Sequence, residues 1–104
     1  MHSLITDRRA AIAELCRRYG VRHLEVFGSA SRDDFDSATS DIDLVVEFAA
    51  APPGTAFDRY FDLKSALESL FERPVDLIEL ATLQSPRLKR LIERAKVPVY
   101  AAPA

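Results

Sequence analysis

Cysteine is almost missing from this chain: Cys16 stands alone among 104 residues. That excludes an internal disulfide, and with no Cys-x-x-Cys pair or His/Cys spacing it excludes the common zinc patterns. A cytosolic location is the expectation that follows. Long apolar runs are missing as well. No stretch approaches the roughly 20 residues of a membrane span, and the N-terminus lacks the apolar core of a signal peptide. There is no Gly-x-x-x-x-Gly-Lys-Ser/Thr, which removes the P-loop class. There is no Gly-x-Ser-x-Gly elbow, and no histidine is placed to activate Ser29, which removes a serine hydrolase.

The length fits a single domain over residues 1–104. A chain of this size buries roughly 65% of its extended surface, enough for one modest core. Its 48% hydrophobic content is ordinary for a globular protein. The net charge of −2 hides a segregation. Residues 25–80 carry four Lys/Arg against thirteen Asp/Glu, a balance of −9, and the two ends carry ten against three, a balance of +7. An acidic middle suits a site that gathers cations. Basic ends suit anionic ligands or an acidic partner surface, or are solvated helix faces.

The spacing predicts a helix over 3–19, with Ile12, Leu15, Cys16 and Tyr19 on one stripe, Ser3 or Thr6 as cap and Gly20 as stop. A strand follows over 21–27, with Val21, Leu24 and Val26 turned inward, His23 and Glu25 outward, and the alternation broken at Phe27. Ser29 to Asp34 reads as a short helix capped by Ser29. Residues 41–48 form a strong strand: Ile42, Leu44, Val46 and Phe48 line one face, Asp41, Asp43, Val45 and Glu47 the other. Ala49 to Gly54 is a loop. A second long helix over 55–72 carries the stripe Phe57, Tyr60, Leu63, Leu67, Leu70 and Phe71, and Arg73-Pro74 ends it. A third strand runs over 75–80. Ser85-Pro86 starts a last helix with Leu88, Leu91, Ile92 and Ala95 buried. A short edge strand at 97–100 tolerates Pro98. The expected fold is α+β, an α/β sandwich with a small mixed sheet of three to four strands flanked by helices. The short 28–40 connection sets the first two strands antiparallel, and the long helix before the third permits a parallel crossover.

Two features carry chemistry. Asp41 and Asp43 stand at i and i+2, which on a strand sends both carboxylates to one face. Side-by-side anions repel and Asp is a poor strand former, so something must offset the cost, and a divalent cation is the obvious candidate. Nucleotidyl transfer needs such carboxylates, and two metal ions about 3.5–4 Å apart are served best by a third. Asp76 is the preferred third member. It lies near the start of the third strand as Asp41 and Asp43 do on the second; otherwise it is a strand-start hydrogen-bonding residue. Glu79, three residues on, points to the opposite face. The second feature is Gly28-Ser29. Glycine lets backbone approach a phosphate, and Ser29 offers a hydroxyl and an N–H at a possible helix start. Arg32 either reaches a phosphate or pairs with Asp34 or Asp36 at the surface. His23 reads as a surface or packed histidine, and Cys16 as core.

Gly28-Ser29, followed after eleven residues by Asp41-Ile42-Asp43, resembles the Gly-Ser…Asp-x-Asp motif of the DNA polymerase beta-like nucleotidyltransferase superfamily. The length points to its minimal nucleotidyltransferase (MNT) branch. The likeness extends through Phe27, Arg32, Val75-Asp76-Leu77 and Val97-Pro98-Val99-Tyr100. It implies a mixed sheet with flanking helices, ATP as substrate and Mg²⁺, with two ions expected. It implies an antitoxin that places AMP on a tyrosine of a partner HEPN RNase toxin in a hetero-oligomer, with no direct nucleic-acid or membrane contact. Gly28, Ser29 and Arg32 would hold phosphates, and Asp41, Asp43 and Asp76 would hold metal and catalyse transfer. Asp33 stands where many members have glycine. Two other readings remain: an antitoxin that neutralises by binding alone, and a stand-alone transferase of small molecules.

Overall fold

A computed structural model describes residues 2–28, 41–52 and 54–103. Its elements run α1 (Ser3–Thr6), α2 (Arg9–Arg18), β1 (Val21–Phe27), β2 (Ile42–Phe48), α3 (Ala56–Phe71), β3 (Val75–Ile78), a 3₁₀ turn (Leu80–Thr82), α4 (Pro86–Ala95) and β4 (Val97–Ala101). The expected short helix after Ser29, and with it Ser29 and Arg32, lies outside the described residues.

The four strands make one mixed sheet in the order β3-β2-β1-β4. β1 is antiparallel to both β2 and β4, and β2 is parallel to β3. This is the expected arrangement, and it follows from connection lengths. The β1–β2 link contains less chain than the β2–β3 connection and favours reversal, whereas α3 supplies the crossover from β2 to β3. Pro98 sits on the edge strand β4, opposite Glu25, in a position class where proline is tolerated.

The core lies between the sheet and the first three helices. Ile5, Ile12 and Cys16 pack with Leu63, Leu67 and Phe71 against Leu24, Val26, Ile42, Leu44, Val46, Val75 and Leu77. Fully burying such a side chain is worth roughly 1.5–3 kcal/mol, so α3 is held chiefly by three residues at helical spacing. A tight end completes it: Glu72 takes φ 55, and Pro74 disfavours any helical continuation at Arg73.

The structure departs from the sequence expectations at four places. The first helix is two: Thr6 and Asp7 are weak helix formers, and Thr6 Oγ1 and Arg8 Nη1 donate to the carbonyls of Ser3 and Leu4. Its cap is neither Ser3 nor Thr6 but His2, whose Nδ1 accepts from the Leu4 N–H at 3.0 Å. The third strand stops at Ile78, because the backbone N–H and hydroxyl of Thr82 both turn back to the Glu79 carbonyl and wind a 3₁₀ turn. The apolar stripes are shorter than read. Phe57 is 72% exposed at the start of α3, and Leu88, Leu91 and Ala95 are exposed on α4, which buries Ile92 alone. The cap of α4 is as expected: Ser85 Oγ accepts from the Leu88 N–H, with Pro86 in the first turn.

Candidate active site

Three strands bring their chemistry to one end of the sheet. β1 ends at Phe27, which pairs with Asp43 near the start of β2. Asp43 in turn is level with Asp76 on the parallel strand β3. Neighbouring strands lie about 4.8 Å apart, and residues in register share a face, so the two carboxylates stand side by side. Asp41 precedes β2 by one residue, and the Ile42 N–H donating to the Pro74 carbonyl locks the register there.

Gly28 follows directly from β1 with φ +69, a left-handed conformation that glycine adopts without strain. Its lack of a side chain is required for a second reason. A Cβ there would lie 2.6 Å from Asp43 Oδ2, below any real contact distance. Glycine therefore lets the Asp43 carboxylate pack directly against the backbone at the end of β1.

The electrostatics agree with the crowding. Burial pushes the Asp43 carboxyl above its usual range, and the negative charges of Asp76 and then Asp41 push it further. Among the described residues, no three His, Cys, Asp or Glu side chains stand close enough to hold a metal ion by themselves. Asp41, Asp43 and Asp76 thus share a field without closing a cage. Mg²⁺ is commonly held by one or two carboxylates, with substrate phosphates and water completing its shell. The donor set fits a cation that arrives with a polyphosphate.

The edge strand carrying Asp76 is fixed from outside by α3. Glu68 Oε2 accepts from the Val75 N–H at 3.0 Å, and the Tyr60 hydroxyl donates to the Leu77 carbonyl. These bonds bracket Asp76 on either side and also blunt a free sheet edge. Burial raises the Tyr60 phenol pKa first, with smaller contributions from the charges of Asp76 and Glu79. Neither positioning side chain stands out in the sequence: Tyr60 belongs to an apolar stripe, and Glu68 carries no signal of its own. The available signal was the tyrosine hydroxyl, which needs a partner once its ring is packed. Glu79 does not join the carboxylates. It ends β3 and turns toward the grooves beside the sheet. His23 pairs in the β1 ladder with Glu47 and Ala101 and is half-buried.

The profile of the nucleotidyltransferase domain matches residues 8–99. The chain belongs to that family. Among its relatives, the protein adenylyltransferase MntA of Thermococcus cleftensis is 34% identical over 79 residues, 76% of each chain. A solved structure of a candidate minimal nucleotidyltransferase superposes with a TM-score of 0.75 at 34% identity, covering 94% of this chain and 96% of that one. The MNT antitoxin in a complex with the tri-AMPylated HEPN toxin of Shewanella oneidensis shares the fold, with a TM-score of 0.65 at 21% identity, over 94% of this chain and 73% of that one. This nucleotidyltransferase is thus of the minimal kind in fold, a mixed four-stranded sheet with flanking helices. Among its described residues, no helix is long and apolar enough to cross a membrane.

Proposed function

We propose that this single domain is a cytosolic, Mg²⁺-dependent protein adenylyltransferase, and that it moves AMP from ATP to a tyrosine hydroxyl of a HEPN-type toxin, with which it forms a complex. The observation that carries the reading is the register of Asp43 with Asp76, next to the close approach of Gly28 to the Asp43 carboxylate. The relatives support the choice of reaction and partner: one is named a protein adenylyltransferase, and a fold neighbour is bound to an AMPylated HEPN toxin.

In this reaction the acceptor oxygen forms a bond to the α-phosphorus of ATP as the α–β bridging bond breaks. Pyrophosphate leaves, and the acceptor loses its proton. Asp76, exposed at the sheet end, is the base placed to take that proton. Asp41 and Asp43 would hold the cation, which when bound would neutralise phosphate charge and orient the reacting oxygens. By sequence, Gly28, Ser29 and Arg32 bind the phosphates. Tyr60 and Glu68 keep Asp76 level with Asp43 while charge redistributes.

The test combines the protein, ATP labelled on its α-phosphate, Mg²⁺ and the product of the neighbouring gene. Label is expected on a tyrosine of that protein, and chelation with EDTA should abolish it. Labelling that survives chelation, or its absence from a partner that binds, would overturn the reading.

A further inference from the structure

A groove of about 430 Å³ opens on the outer side of β3. Phe57, Tyr60 and Phe61 of α3 form one wall, and Leu77, Ile78 and Leu83 line the rest. The wall is a continuous aromatic face. The rings of Phe57 and Phe61 lie 4.6 Å apart between centroids, and Tyr60 meets Phe61 edge-on at 5.0 Å. Phe57 is 72% and Phe61 47% exposed. Isolated exposed apolar residues are normal, but two phenylalanines one helical turn apart over an apolar groove are a candidate binding surface.

Its position relative to the carboxylates gives it a meaning. Across the sheet the order is Gly28 at the end of β1, Asp43 on β2, Asp76 on β3, then the groove. In phosphoryl transfer the attacking and leaving oxygens lie roughly in line through the phosphorus. With the phosphates of ATP on the Gly28 side, the leaving pyrophosphate departs toward β1, and the attacking hydroxyl enters from the β3 side. Leu77 and Ile78 directly follow Asp76, so the groove begins about 3 Å further along the same strand. The Tyr60 hydroxyl, bonded to Leu77, lies within the field of both Asp76 and Glu79.

Charge narrows the occupant. Among the described residues, the groove is lined by one charged side chain, Glu79, and by no Lys or Arg. A carboxylate in an otherwise apolar wall disfavours a polyphosphate and favours a basic segment. From these observations we infer that the groove is the docking site of the acceptor protein, and that it takes an apolar side chain from a segment bearing Lys or Arg beside the hydroxyl to be modified. The inference rests on the adenylyltransferase reading for the direction of attack, but the surface can be tested apart from it.

Two variants test it: Phe57→Ser with Phe61→Ser, both at exposed positions, and Glu79→Lys. The HEPN-domain acceptor is titrated against each, once for binding without nucleotide and once for AMP transfer. The melting shift given by Mg²⁺ and ATP is the control. The double variant should weaken acceptor binding and raise the acceptor KM by roughly tenfold or more, with kcat within about twofold of the parent. The nucleotide-dependent shift should be unchanged. Glu79→Lys should weaken binding in a way that fades at high salt. Unchanged acceptor binding in both variants overturns the inference. So does loss of the nucleotide shift with acceptor binding intact, which would make the groove a nucleoside pocket. If the parent protein binds the acceptor but transfers no AMP, and the double variant weakens that binding, the groove stands and the transferase reading falls.

Discussion

Gly28 and Asp43 are locked together: any Cβ on residue 28 would lie 2.6 Å from Asp43 Oδ2, on a backbone already held at φ +69. Gly54 gives the matched control, since it has φ +87 and no atom within 4 Å of its Cβ position. Replacing either with alanine carries the left-handed cost of roughly 1–2 kcal/mol. Gly28→Ala should exceed Gly54→Ala by the added clash and should displace the Asp43 carboxylate. Urea unfolding measures the first difference, and AMP transfer the second. Equal losses of stability, with transfer intact in both, would show that the close approach has no consequence.

Asp43 has a raised pKa, so between the ordinary carboxylate value of 3.8 and its own value the folded state holds more protons than the unfolded one. Its contribution is therefore present at low pH and is lost as pH rises through that window. Without metal, Asp43→Asn should remove this loss and raise the melting temperature at pH 7. The rise should be a few degrees at most, because water screens this half-exposed cluster. The same substitution should cancel the further rise that Mg²⁺ with ATP gives the parent protein. A metal-free variant that melts below its parent would show that the carboxylates do not strain the fold.

Cys16 is fully buried in the core, and burial pushes its thiol up to about 12. Thiolate is the reactive form, so the residue should resist alkylation at pH 8 in the native protein and react promptly in denaturant. A native-state rate near that of a free thiol would contradict the packing of α2.

Glu72 ends α3 in the left-handed conformation at φ 55, where side chains are strained. Glu72→Gly should stabilise the protein by about 1 kcal/mol with AMP transfer unchanged. Chemical denaturation is the measurement, and a loss of stability would mean that the glutamate side chain makes a contact worth more than the strain.

The parts legible in the sequence share one cause: each was fixed by local periodicity or by chain length. The alternation of Ile42, Leu44 and Val46 located β2, and the lengths of the two connections fixed the antiparallel and parallel pairings. Asp43 beside Asp76 then followed from strand starts alone. Hydrophobicity could not tell which apolar residues lack a partner. Phe57 and Phe61 continue a helical stripe past the packed part of α3, and Leu88 and Leu91 do the same on α4. The tyrosine hydroxyl announces that Tyr60 needs a partner, but the sequence does not name the acceptor, because the bonds from Glu68 and Tyr60 to β3 join residues 7 and 17 positions apart across a turn whose geometry it does not specify.

The most direct measurement of the pairing of Asp43 and Asp76 is the rate of AMP transfer in Asp43→Asn and Asp76→Asn proteins that melt as cooperatively as the parent. General-base catalysis contributes roughly 10²–10⁴-fold, so Asp76→Asn should lower kcat by that order with little change in acceptor binding. Asp43→Asn should lower transfer comparably and remove the melting shift given by Mg²⁺ and ATP. Transfer within about tenfold of the parent in either folded variant would contradict the assignment of these two carboxylates to the reaction.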